Sequence, residues 1–203
     1  MQRLIGIMLS PGFVANNSRL LKAHASDDTL RRAHRYREKM AKMRLKCQIA
    51  FAPMAEKFSA TAAIIAGFKD AVDVQHLEEF YFDPKSETGR IIARMGDTIG
   101  ISQLKDYLND TEGLHVRAHA VKLWDAVQRR AKDELHEAEK VSDVLVVGPS
   151  ILVAAMGFVA SNGLRRSIVS RRFHDLDPAH TQCYEVVFNE EGSPLLATVK
   201  ALH

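Results

Sequence analysis

Residues 3–12 read RLIGIMLSPG, and the fold turns on how this stretch is read. Ile5, Ile7 and Leu9 alternate with Leu4, Gly6 and Met8, and both sets are mostly apolar. A strand buried on both faces has this pattern, which is usual in sheets covered by helices. The run stops at Ser10, Pro11 and Gly12. The loop that follows carries no His, Asp, Glu or Lys before Arg19. The layout is that of a ligand loop after a strand, without the charged groups that most chemistry needs.

The same pattern recurs along the chain. VSDVLVVGPS, residues 141–150, is a second buried strand that ends in a Gly-Pro loop. CQIAFA, closed by Pro53, is a third. CYEVVFN and LLATVKA flank EEGSP and predict a hairpin. Helices are expected between the strands. Residues 29–45 follow the N-cap candidates Ser26, Asp27 and Asp28, with Leu30, Ala33, Tyr36 or Arg37, Met40 and Met43 on the less polar side. Residues 55–68 place Phe58, Ala62, Ile65 and Phe68 near one face. Residues 115–140 carry a stripe from Val116 through Trp124 to Ala138, so Trp124 reads as a packing residue. The apolar helix after Ser150 ends near Gly163, a C-cap candidate. Residues 87–113 read as one or two short helices broken at Gly96 and Gly100.

Strands alternating with helices predict an α/β fold: a three-layer helix-sheet-helix sandwich around a central mixed sheet. Residues 1–203 are read as a single domain, with a helical insertion at about 84–113. In such folds ligands bind beyond the carboxyl ends of the strands. The Ser10-Pro11-Gly12 and Gly148-Pro149-Ser150 loops should therefore lie side by side.

Composition bounds the rest. The chain has 203 residues and is 46% hydrophobic, enough for one substantial core. Its 28 Lys and Arg against 25 Asp and Glu leave a net charge of +3, too mild to imply specific nucleic-acid binding. Cys47 and Cys183 do not form a disulfide framework. The first residues do not read as a secretory signal, and no apolar run is long enough to span a membrane. The expectation is a soluble cytoplasmic protein with no membrane partner.

The order of elements and the loops between them resemble the histidine phosphatase superfamily, which includes the phosphoglycerate mutase-like proteins. The resemblance runs over nearly the whole length. In that family the first strand ends in Arg-His-Gly, with an Asn a few residues on. Here the same register holds Ser10, Pro11 and Gly12, then Asn17. The family's Ser-Pro-Leu-x-Arg signature is met by Ala52, Pro53, Met54, Ala55 and Glu56. Its Leu-x-Glu segment resembles Leu77, Glu78 and Glu79. Its late His-Gly falls on Pro149 and Ser150. The resemblance thus implies a phosphoglycerate mutase-like fold with degenerate catalytic positions: Ser10, Pro11, Glu56 and Pro149.

These substitutions have chemical consequences. Phosphoryl transfer through a phosphohistidine needs an imidazole lone pair, and proline's ring nitrogen lies inside the backbone amide. Charge on the phosphoryl oxygens needs Arg, Lys or a metal beside it, whereas Ser10 offers a hydroxyl and Glu56 repels phosphate. No histidine-based phosphatase or mutase activity is expected. Ser10, Gly12, Asn16, Asn17, Glu79 and Ser150 remain candidate ligand contacts, for a small anionic ligand or a protein partner. Each also has a plainer role, as a turn former, a loop hydroxyl on backbone groups or a surface carboxylate.

Two alternatives compete with a degenerate relative. One is a phosphatase or other hydrolase with a changed mechanism, using Ser10, Glu79 or a histidine such as His24 or His180. The other is an interaction protein using the basic segment 30–46, which holds Arg31, Arg32, Arg35, Arg37, Lys39, Lys42, Arg44 and Lys46. A solvated helix face explains that segment more simply. No cofactor is expected, since the chain has neither a Walker loop nor a dinucleotide fingerprint. No metal is expected either: His115 and His119 share i,i+4 spacing but lack a third ligand.

Overall fold

The architecture comes from a computed structural model that describes residues 3–10, 24–42, 45–99, 103–109, 111–134, 143–161 and 182–201. β1 (Arg3–Ser10) is followed by α1 (Asp27–Lys42), β2 (Cys47–Ala52) and α2 (Glu56–Ala66). β3 (Gln75–His76) leads into a 3₁₀ turn, Glu78–Phe80. α3 (Glu87–Ile99), α4 (Leu104–Leu108) and α5 (Gly113–Glu134) come next, then β4 (Asp143–Pro149), α6 (Ser150–Ala160), β5 (Gln182–Phe188) and β6 (Pro194–Ala201).

The strands form one six-stranded sheet in the order β3-β2-β4-β1-β5-β6. β3, β2, β4 and β1 are parallel, β5 pairs antiparallel with β1, and β6 pairs antiparallel with β5. The mixed sheet is therefore as expected, with β3 added at one edge. Both faces are covered because both faces of the central strands are apolar. Leu4 and Met8 of β1, with Val144 and Val146 of β4, pack against α3, α4, α5 and α6. Ile5, Ile7, Leu145 and Val147 pack against α1 and α2. Every residue of β4 is buried.

The helix ends follow local chemistry. Ser26 Oγ accepts the Thr29 N–H at the start of α1, as a capping serine does. Gly67, at φ 80°, ends α2 and donates to the Ala63 and Ile64 carbonyls. Ala33, Tyr36 and Met40 are the buried face of α1, while Arg37 is exposed. Met43 and Gly163 lie outside the described residues. One expected boundary is corrected. Gly96 does not break its helix: α3 runs through it to Ile99. An interior glycine costs only about 1 kcal/mol, and the buried Ile92 and Met95 hold α3 against the core despite that cost. α3 is also tied to α5, where Thr88 Oγ1 lies 3.2 Å from His115 Nδ1 and Arg94 pairs with Glu112. Trp124 is buried and stacks on Phe188 at 5.5 Å.

An ion cluster closes the amino-end of the sheet. Arg3 Nε lies 3.3 Å from Asp143 Oδ1, and its Nη1 lies 3.3 Å from Glu185 Oε1. Asp143 Oδ2 accepts the Lys46 N–H at 2.9 Å. Cys47 sits beside this cluster, opposite Asp143 in the β2–β4 register. Burial, then the Asp143 charge, pushes its thiol up to about 12, so it is inert. Cys183 pairs with Ile7 near the other end of the sheet, and both cysteines are free thiols. Among the described residues no helix is long and apolar enough to cross a membrane.

Candidate functional site

Four parallel strands present their carboxyl ends together, and the site is built there. β1 and β4 are direct neighbours, and Ser10 pairs in register with Pro149. The two loops therefore leave the sheet side by side, as expected for the part that is described. Pro11, Gly12, Asn16 and Asn17 lie outside the described residues, as does His180. β2 ends beside β4 and turns through Pro53 into α2. β3 ends beside β2 and turns into the Glu78–Phe80 segment.

Two helices start at these ends, each without a side-chain cap. Ala55 is the N-cap of α2 and Pro149 that of α6, and neither can offer a side-chain oxygen. The first-turn amides of both helices thus keep their positive end toward the carboxyl ends of the strands. Ser150, the first residue of α6, is 1% exposed, and its Oγ has no hydrogen-bond partner among the described residues. Among the described residues no base is bonded to that hydroxyl.

Glu56 opens α2 and turns outward. Its carboxylate Oε2 lies 2.5 Å from His24 Nδ1, and both side chains are exposed. This pair ties the start of α1 to the start of α2. It places His24 near the carboxyl ends of the strands. Lys57 is half-buried, with Nζ 4.8 Å from the centre of the Phe58 ring, and burial lowers its pKa.

The acidic segment does not place a carboxylate beside β4. Glu79 faces α5, where its Oε1 lies 3.7 Å from Arg129. The side chain against the end of β4 is Phe80, which is fully buried. A Cβ on Gly148 would stand 2.6 Å from the Phe80 ring and 3.0 Å from Val153, so glycine makes room for the aromatic ring. Tyr81 comes next and has a half-buried side chain. Burial raises its phenol, opposed by the Met54 backbone N–H that faces it. Phe80 and Tyr81 were missed as site residues, because FYF in a sequence reads as core. The signal that could have found them is their position, directly after the acidic pair and opposite a glycine-ended strand.

The two helical histidines do not act together. His115 lies against Thr88, and His119 is buried edge-on to Phe82 at 6.3 Å. Among the described residues no group of three or more His, Cys, Asp or Glu could hold a metal.

The chain superposes on a mutant phosphoserine phosphatase from Entamoeba histolytica, solved in complex with phosphoserine, with a TM-score of 0.53 and 14% identity. That match covers 98% of this chain and 96% of the other. A mycobacterial glucosyl-3-phosphoglycerate phosphatase solved with VO3 matches with a TM-score of 0.54 and 11% identity, over 99% and 98% of the two chains. The protein histidine phosphatase SixA, complexed with tungstate, matches with a TM-score of 0.52 and 9% identity, over 98% and 97%. The fold is that of the phosphoglycerate mutase-like histidine phosphatases. At these identities the likeness is one of fold. No protein-family model and no curated protein matches the chain. The histidine phosphatase fold accounts for the neighbouring ends of β1 and β4 and for the helix that follows each of β2 and β4.

Proposed function

We propose that the protein is a catalytically degenerate relative of the histidine phosphatases, one that keeps the crevice without phosphohistidine chemistry. The observation that carries this reading is the Ser10–Pro149 pairing at the ends of β1 and β4. Both strand ends hold residues without a nucleophilic nitrogen. Glu56 supports the reading from the third strand end, since the first residue of α2 is a carboxylate paired with His24 and supplies no cation for a phosphate. Phe80 supports it from the fourth, since an aromatic ring occupies the space beside Gly148.

The crevice keeps one property useful to a binding protein. The uncapped starts of α2 and α6 and the Ser150 hydroxyl, which has no partner among the described residues, favour a small anion weakly. The structural neighbours were solved with phosphoserine, VO3 and tungstate, all of them carrying oxyanion groups. For this chain, a non-catalytic anion site at the ends of β1, β2 and β4 is the role assigned.

The test pairs turnover with binding. Purified protein is assayed against a panel of phosphomonoesters, and phosphate and tungstate are titrated by calorimetry. The expected result is no turnover above buffer, with weak anion binding that Ser150→Ala reduces. Turnover that co-purifies with the chain and disappears in Ser10→Ala or Ser150→Ala would overturn the reading in favour of a changed mechanism.

A further inference from the structure

The chain's positive charge is not spread over its surface. α1 holds six Lys and Arg against three Asp and Glu, a surplus of three, which equals the net charge of the whole protein. The rest of the chain is balanced. Because Ala33, Tyr36 and Met40 form the buried face, every charge on α1 lies on the remaining arc. Arg31, Arg35, Lys39 and Lys42 follow one another at steps of three or four residues, so they line one side of the helix. Asp28 pairs with Arg31 and Arg32 near the start. Arg35 and Lys42 form no ion pair with a described acid. Arg37 lies along Gly67 at the end of α2, which places Lys69 close to the same surface.

We infer that the outward face of α1 binds the phosphodiester backbone of nucleic acid without reading its sequence. Three observations select this partner class. No large exposed hydrophobic residue lies on α1, so the face lacks the apolar anchors that hold a protein partner. Its apolar side is buried in the core, so the helix cannot lie in a membrane surface. A row of arginine and lysine side chains over about 17 Å of helix instead suits a partner of high linear charge density. Tyr36, the one Phe, Tyr or Trp of the helix, is buried with its hydroxyl against Cys183, so no base can stack on its ring. Base contacts are absent from the proposal for that reason. The inference does not depend on the proposed function.

The test uses the full chain and a fluorescein-labelled duplex of about 30 base pairs, followed by polarisation at several salt concentrations. Four phosphate contacts predict a slope of log affinity on log salt of roughly −3 to −4, a loss of about a hundredfold between 50 and 200 mM. A second duplex of unrelated sequence should bind equally. Arg35→Gln with Lys42→Gln should weaken binding and reduce the slope by about 2. Arg35→Lys with Lys42→Arg should keep both. Lys122→Gln with Lys132→Gln, exposed on α5 and equal in charge change, should have no effect. Equal loss in the α1 and α5 variants would overturn the proposal, since net charge alone would then explain binding. So would polyglutamate binding in preference to the duplex, or strong preference for one sequence.

Discussion

Arg3 shows how much one side chain can matter in this fold. It is the described cation that faces Asp143, a carboxylate buried at the base of β4. Burial raises the Asp143 pKa above the usual aspartate range, and Arg3 and the Lys46 N–H only partly offset it. Arg3→Ala leaves that charge with one backbone donor. The expected cost is about 2 to 3 kcal/mol, discounted from the fully buried case because Arg3 is partly exposed. Urea denaturation measures it, and Arg3→Met with Asp143→Asn should recover much of the loss. His119 gives a pH signature. Burial lowers its pKa, outweighing the opposing pull of the Glu79 backbone and carboxylate, with Lys122 adding to the lowering. The folded state therefore holds this histidine neutral, while the unfolded chain takes up its proton near about pH 6.5. Its contribution to stability is complete above that pH and is lost as pH falls toward the lowered value. His119 Nε2 has no described partner, and His119→Phe removes the titration together with the ring's contact to the Glu79 backbone. Melting temperatures between about pH 5 and 7 should fall less steeply in that variant than in the parent.

The elements differ in how far the sequence disclosed them. β1, β2, β4 and the β5–β6 hairpin were legible because apolar residues on both faces leave few other options for a short run. The partnership of Ser10 with Pro149 was legible for the same reason, since two doubly buried strands belong in the middle of a sheet. The course of α3 through Gly96 was not, because the packing of Ile92 and Met95 outweighs a local helix penalty that a sequence reader sees by itself. The segment after β3 was the hardest. Glu78 and Glu79 drew attention as the charged residues, yet Phe80 meets the end of β4. Which residue of a 3₁₀ turn faces the sheet depends on a turn of a few residues that no periodicity reports. This packing is testable. Phe80→Ala should cost about 3 to 4 kcal/mol by leaving a cavity. Gly148→Ala should cost about 1 to 3 kcal/mol by overpacking. In the double variant the two should cost less than their sum, because the new methyl enters the space the ring vacated.

At the scale of the whole molecule, a histidine phosphatase-like fold carries strand ends whose residues differ from a phosphohistidine site. β1, β2 and β4 end on Ser10, Ala52 and Pro149, and the helices that follow β2 and β4 start with Glu56 and Ser150. None of these can carry a phosphoryl group as a phosphohistidine does. Restoring one group should not restore function. Pro11→His alone is expected to show no phosphomonoester turnover, because Ser10 and Glu56 would still leave phosphate charge uncompensated. The central claim is that no histidine of this chain takes a phosphoryl group. The most direct measurement incubates the purified protein with radiolabelled phosphoryl donors, quenches in alkali, and maps any acid-labile, alkali-stable label by mass spectrometry. The account predicts no such label on any histidine, and a phosphohistidine mapped to any position in the chain would contradict it.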